Sequence, residues 1–218
     1  MDNQVRATII GGSAVFLWAS LALLVVKTGS VPPFQLITIC FAIGGIAGLL
    51  WTISRNPSAS RLKRIFWQAP IVWVVGIIGI FGNHVFFFTA LKLAPPAEAN
   101  LINYLYPALI MLFAGVLLGE RIRWFHILGT ILGFLGAAIL VLGVNSSDWD
   151  SAPAPVLGML AALGSAVSWA LYSALNRKFK QVPSEIVSGF CLVTALLALP
   201  LHLMFETTVL PNAEELFA

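Results

Sequence analysis

FFFTALKLAPPAEANLINYLYPALIMLFAGVLLGERIRWFHILGTILGFLGAAILVL, residues Phe86 to Leu142, is the stretch that decides the fold. It holds the end of one apolar segment, the Pro95-Pro96 turn and a second apolar segment carrying Asn100, Asn103, Tyr104 and Tyr106. A short Gly119-Glu120-Arg121 loop and a Gly-rich third segment follow. Each apolar segment approaches the roughly 20 residues needed to cross about 30 Å of hydrocarbon.

The rest of the chain repeats this pattern. With 59% hydrophobic and 10% charged residues over 218 positions, it lies far from soluble proteins, where charged residues are about a quarter. Seven stretches are long and apolar enough to span: 8–26, 33–53, 69–91, 96–117, 124–144, 155–175 and 184–204. Breakers such as Pro32-Pro33, Asn56-Pro57 and Pro95-Pro96 mark the short connections. The first run is read as a membrane helix and not a cleaved signal, since no small-residue cleavage site follows it. Cys40 and Cys191 sit inside apolar runs as small hydrophobes. The basic residues are dispersed, which argues against nucleic acid as a partner.

Orientation follows from those basic residues. With the N-terminus inside, Arg6, Arg55, Arg61, Lys63, Arg64, Arg121, Arg123, Arg177, Lys178 and Lys180 are cytoplasmic, and only Lys27 and Lys92 are outside. Such an excess of inside cations is the rule for multi-pass proteins. The outside connections carry Asp148, Asp150, Glu206, Glu214 and Glu215, and Ala218 ends outside. Trp51, Trp67, Trp124 and Trp149 fall at span ends, at headgroup level. Trp18 and Trp169 fall in mid-span.

Those two Trp expose a repeat. An offset of 151 positions places Trp18 on Trp169, Ala19 on Ala170, Leu24 on Leu175, Lys27 on Lys178, Val31 on Val182, Pro32 on Pro183 and Cys40 on Cys191. A one-residue slip adds Gly12 to Val15 on Gly164 to Val167. Five spans per copy is an odd number, so the second copy must run the opposite way through the membrane. Inverted repeats with a substrate site near the midplane characterise secondary transporters. The expected fold is an all-α polytopic membrane protein with seven transmembrane helices of an expected ten. It forms a 5+5 inverted-topology repeat with the N-terminus cytoplasmic. Residues 1–150 make the first five-helix repeat, and 151–218 begin the second with helices six and seven.

The motifs sharpen this. Ala90-Leu91, Pro95-Pro96-Ala97, the Leu101-to-Pro107 run, Leu117-Leu118-Gly119-Glu120-Arg121, Gly129 and Gly133-Phe134-Leu135-Gly136 resemble the EamA-type members of the drug/metabolite transporter superfamily. The resemblance covers copy one and the start of copy two. The aromatic content and the Trp-bearing first helix look most like bacterial exporters of aromatic and related amino acids. It implies a multi-pass protein of the bacterial inner membrane, without a cofactor, whose last three helices lie beyond Ala218 and whose cavity needs them to close.

Helical periodicity selects the candidate substrate-binding residues. Asn100, Asn103, Tyr104 and Pro107 lie on one face of the fourth span. Amides against lipid are costly, so this stripe faces protein or a water-filled cavity. Pro107 is expected to kink the helix. In the third span Gly76, Gly79 and Asn83 share a face with His84 beside it, and Phe86, Phe87 and Phe88 follow. His84 serves either as a hydrogen-bonded structural group or as a contact to substrate or proton. In the sixth span Gly158, Ala162, Ser165, Trp169, Tyr172 and Asn176 form a small-to-aromatic stripe matching Gly11, Ala14, Trp18 and Ala22 of the first. Packing at the repeat interface and contact with substrate both fit that stripe. Gly129, Gly133 and Ala137, and Gly44 to Gly48, form small-residue ridges suited to helix packing or a homo-oligomer contact. Glu120 is expected to order its loop by pairing with a nearby Arg.

No carboxylate, Lys or Arg lies deep in a span, which favours neutral, zwitterionic or aromatic solutes over cations. No H-E-x-x-H, paired carboxylates or Ser-His pair on one face supports a membrane-embedded enzyme. The expected function is alternating-access export of amino acids, aromatic or otherwise neutral or zwitterionic. The site would comprise Trp18, Asn83, His84, Asn100, Asn103, Tyr104, Ser165, Trp169 and Tyr172. A facilitator or antiporter for another small metabolite or drug is the related alternative. A seven-helix receptor is the unrelated one, and the charge distribution opposes its outside N-terminus.

Overall fold

A computed structural model describes residues 3–55, 59–143 and 146–211. Side chains at 3, 4, 6, 7, 59–61, 64, 137, 140, 141 and 146–148 are excepted. Arg6, the Asn56-Pro57 turn, Arg61, Arg64, Ala137, Asp148, Glu214 and Glu215 therefore fall outside what is described.

Every regular element among the described residues is helical. They are α1 (Asn3–Lys27), α2 (Pro33–Arg55), α3 (Ala59–Phe66), α4 (Pro70–Ile77), a π turn (Ile78–Gly82), α5 (Asn83–Leu93), α6 (Pro96–Asn103), α7 (Tyr106–Leu118), α8 (Trp124–Leu142), α9 (Ser146–Ser151), α10 (Pro155–Asn176) and α11 (Ile186–Phe205). Among the described residues six helical stretches are long and apolar enough to cross a membrane: Thr8–Lys27, Pro33–Arg55, Pro70–Leu93, Pro96–Leu118, Pro155–Asn176 and Ile186–Phe205. The 19-residue α8 supplies the fifth expected span, at about 28 Å long. Proline opens α4, α6 and α10, where its missing N–H costs nothing.

Two spans depart from regular α-helix along their length. The third contains the π turn, with Gly79 and Gly82 inside it. In the fourth the regular α pattern lapses at Tyr104 and Leu105, in the turn before Pro107. Pro107 cannot donate a backbone bond and its ring crowds the preceding turn. The chain tightens upstream through Leu105 N–H to the Ile102 carbonyl at 3.0 Å, and α7 restarts with Pro107 in its first turn.

The chain divides into two compact units, residues 1–31 with 209–218, and residues 32–208. The first contains α1, whose Trp18 is half exposed. In the second, α10 packs most extensively on α5 and α7, and α11 on α2. The α10 partners follow an antiparallel register. Gly158 lies against Ala94, Gly164 against Phe86, Ser168 against Gly82 and Tyr172 against Gly79. A Cβ at Gly79 would lie inside the Tyr172 side chain, so only glycine allows this approach. On α2, Gly45 and Gly48 take Leu192 and Ser188 of α11, while Gly44 and, on α8, Gly129 face open space. Beside this pair, Val72, Ile80, Ile186 and Phe190 form a core cluster with Trp73 edge-on to Phe190.

Candidate functional site

Near the middle of α10, Ser165 is completely buried and joins two amides from other spans. Asn83 Nδ2 donates to Ser165 Oγ at 2.8 Å and to its backbone carbonyl at 3.1 Å. Ser165 Oγ donates to Asn103 Oδ1 at 2.8 Å. The third, fourth and sixth spans are thereby tied at one depth. Each of these polar groups would be costly in an apolar interior alone, and each satisfies the other. The π turn and the α6 break flank the two amides, placing Asn83 first after the one and Asn103 just before the other.

The candidate aromatic residues lie on the same spans as this node. Along α10, Trp169 and Tyr172 follow Ser165 by one and two turns, their centroids 5.4 Å apart. Tyr104 sits in the α6–α7 break, 48% exposed and 5.9 Å from Tyr106. Asn100, one turn earlier, is half-buried. His84 donates from Nδ1 to the Ile80 carbonyl at 2.8 Å, which leaves Nε2 as an acceptor in the neutral ring. Phe41 and Phe88 meet that imidazole edge-on, at 4.7 and 5.7 Å. The structure thus joins Asn83, Asn103 and Ser165 directly and sets Trp169 and Tyr172 on the same helix. Trp18 belongs to the other compact unit.

One polar cluster escaped the sequence reading. Glu206 accepts the N–H groups of Phe34 and Gln35, each at 3.0 Å, at the start of α2. Its Oε2 also receives His202 Nδ1 at 2.9 Å, and His202 Nε2 meets Thr208 Oγ1 at 2.9 Å. The His202 and Glu206 side chains are only 5% and 11% exposed. A signal existed. Helix α2 opens on Pro32-Pro33 with no Ser, Thr, Asp or Asn to cap it, so its first N–H groups need an acceptor from elsewhere.

A family model for the EamA-like transporter family matches residues 6–142. The chain belongs to that family. It is 47% identical over 216 residues to the aromatic amino acid exporter YddG of Ancylobacter novellus, covering 99% of this chain and 74% of that protein. It is 27% identical over 209 residues to the aromatic amino acid exporter YddG of Salmonella typhimurium, covering 93% of this chain and 68% of that protein. The S-adenosylmethionine uptake transporter of Rickettsia prowazekii is 27% identical over 186 residues, with 84% of this chain and 58% of that protein covered. A solved crystal structure 45% identical in sequence superposes with a TM-score of 0.74, covering 98% of this chain and 72% of that one. This EamA-type chain is therefore a multi-pass protein of the bacterial inner membrane, from a family of small-molecule transporters and not of enzymes.

Proposed function

We propose that the protein exports amino acids, aromatic or otherwise neutral and zwitterionic, by alternating access between two inverted five-helix halves. Residues 1–150 form the first half and residues from 151 begin the second, with the N-terminus cytoplasmic. The observation that carries this reading is the Asn83–Ser165–Asn103 node joining the third, fourth and sixth spans, with Tyr104, Trp169 and Tyr172 on two of the same spans. Ring faces and neutral donors suit an aromatic zwitterion. The names of the two YddG relatives support the same substrate class.

Within the site the roles divide. Asn83, Asn103 and Ser165 bond one another and set the wall. Tyr104, Trp169 and Tyr172 offer ring faces, while Asn100 and the His84 Nε2 offer polar contacts to substrate. Trp18 is the repeat counterpart of Trp169 and is the substrate contact proposed on the first helix. Family membership supports transport over the seven-helix receptor.

The test is counterflow. Proteoliposomes holding the full-length protein and unlabelled phenylalanine should accumulate labelled phenylalanine, with tryptophan and tyrosine competing and arginine and glutamate not. No counterflow of any neutral amino acid would refute export of this class. Competition by a bulky cation instead would move the reading toward another metabolite or drug.

A further inference from the structure

We propose that Glu120 and Arg177 form a latch at the inner end of the cleft between the fourth and sixth spans, closed here and parting when that end opens. This rests on the alternating-access reading and assigns the pair a positioning role in it. The seam between these spans is held at three levels. Asn103 meets Ser165 at the centre. Leu109 packs on Ala166 and Ala170 further along. Glu120 meets Arg177 at the end. Residue numbers rise together on both sides, so the helices run parallel. From Ser165 to Arg177 the α10 rise is about 18 Å.

The levels differ in strength. The central node is desolvated and its members satisfy one another, so parting them leaves buried polar groups alone. At the end, Arg177 Nη1 reaches the two Glu120 carboxylate oxygens at 3.0 and 3.1 Å, with the side chains 53% and 47% exposed. An exposed pair of this kind shifts a two-state equilibrium only about two- to fivefold. That is too weak to hold a fold, and it suits a contact that forms and breaks in each cycle.

Both partners are aimed by their elements. Gly119 closes α7 in a left-handed conformation with φ of 70°. Its N–H bonds the Gly115 carbonyl at 3.1 Å, the single bond of an αL closure, and the Glu120 N–H bonds the Ala114 carbonyl at 3.3 Å, which fixes where Glu120 begins. Arg177 follows directly on the last residue of α10. Arg121 and Arg123 flank Glu120, and Lys178 and Lys180 follow Arg177, so neutralising Glu120 leaves two cationic segments facing each other. The repeat offset aligns Lys178 with Lys27, one of the two basic residues assigned outside, as a mirror-image arrangement would require.

The test uses the full-length protein with Cys40→Ala and Cys191→Ala, and Ala174→Cys as reporter. Ala174 is fully buried on α10, three residues before Arg177. In inside-out vesicles, Glu120→Gln and Arg177→Gln should each speed labelling by a membrane-impermeant maleimide about two- to fivefold. The charge-swapped Glu120→Arg/Arg177→Glu pair should return it to the parent rate. Unchanged rates in both single variants, or no return in the swap, overturn the proposal. In a second arm, Glu120→Cys/Arg177→Cys without the reporter is tied by a bifunctional maleimide in proteoliposomes. Tying should abolish amino acid exchange; exchange that survives it identifies a static brace and overturns the latch. If the unaltered protein exchanges no amino acid, the export reading fails, and the labelling arm still decides the latch.

Discussion

Removing the Glu206 carboxylate should loosen the seventh span from the second. Two N–H groups of the first α2 turn, Phe34 and Gln35, end on this side chain at 3.0 Å, and His202 binds it at 2.9 Å. Hydrogen bonds to a charged acceptor contribute about 1.5–3 kcal/mol each, and a lost helix cap about 0.5–2 kcal/mol. The contributions overlap because water reaches the freed N–H groups in part. A working value is about 3 kcal/mol for Glu206→Ala, and about 1–2 kcal/mol for Glu206→Gln, which keeps one acceptor and loses the charge. At about 2–4 °C per kcal/mol for a chain of this size, Glu206→Ala should lower Tm by roughly 6–12 °C. The assay is thermal melting of the detergent-purified protein by size-exclusion chromatography. A local cap checks the cause. Pro32 occupies the N-cap position, its carbonyl bonding the Leu36 N–H at 3.0 Å. Pro32→Asp in the Glu206→Ala background offers Phe34 and Gln35 a new acceptor and should recover about 1 kcal/mol. A Glu206→Ala protein that melts with the parent, or no recovery with Pro32→Asp, would refute the reasoning.

Ser165→Ala leaves Asn83 Nδ2 and Asn103 Oδ1 without their shared hydroxyl. It should cost about 1–2 kcal/mol in the same melting assay; a neutral result would mean water replaces the hydroxyl. Gly79→Val collides with Tyr172. Folded yield should collapse and partly return with Tyr172→Ala, whereas a normal yield for the single variant would contradict the register. Tyr104→Ala and Trp169→Ala should raise KM for phenylalanine counterflow about tenfold, as loss of an aromatic contact of roughly 1.4 kcal/mol implies. Unchanged KM in both would remove these rings from the site.

What the sequence reveals here is what each helix can display alone. Apolar length marks every span, and the 3.6-residue period singles out Asn83, Asn103 and Ser165, which the structure then joins. Partnerships between helices leave no such trace. Glu120 was expected to pair within its own neighbourhood, yet its partner Arg177 comes 57 positions later, because the parallel seam of α7 and α10 brings two span ends together. Glu206 was hidden for a different reason. It lies past the last apolar residue of its span, and it serves backbone N–H groups that carry no side-chain signature. At Pro107 the sequence names the cause and the structure the place, since the ring disturbs the turn before it and the α pattern lapses at Tyr104 and Leu105.

The π turn between Ile78 and Gly82 has a genetic consequence. Such a turn is what a helix looks like after it accepts one residue more than its regular winding needs. Loss of a single codon there would let the segment rewind as an ordinary α-helix with the residues beyond it nearly in phase, whereas a codon lost from α4 would turn them by roughly 100° against the start of the span. In the second case Asn83 would leave Ser165 with no residue of the node altered. The polar wall therefore depends on a count of residues as well as on their kinds. An in-frame deletion in α4 should therefore be far harsher than one in this turn, though each removes less than one per cent of the chain.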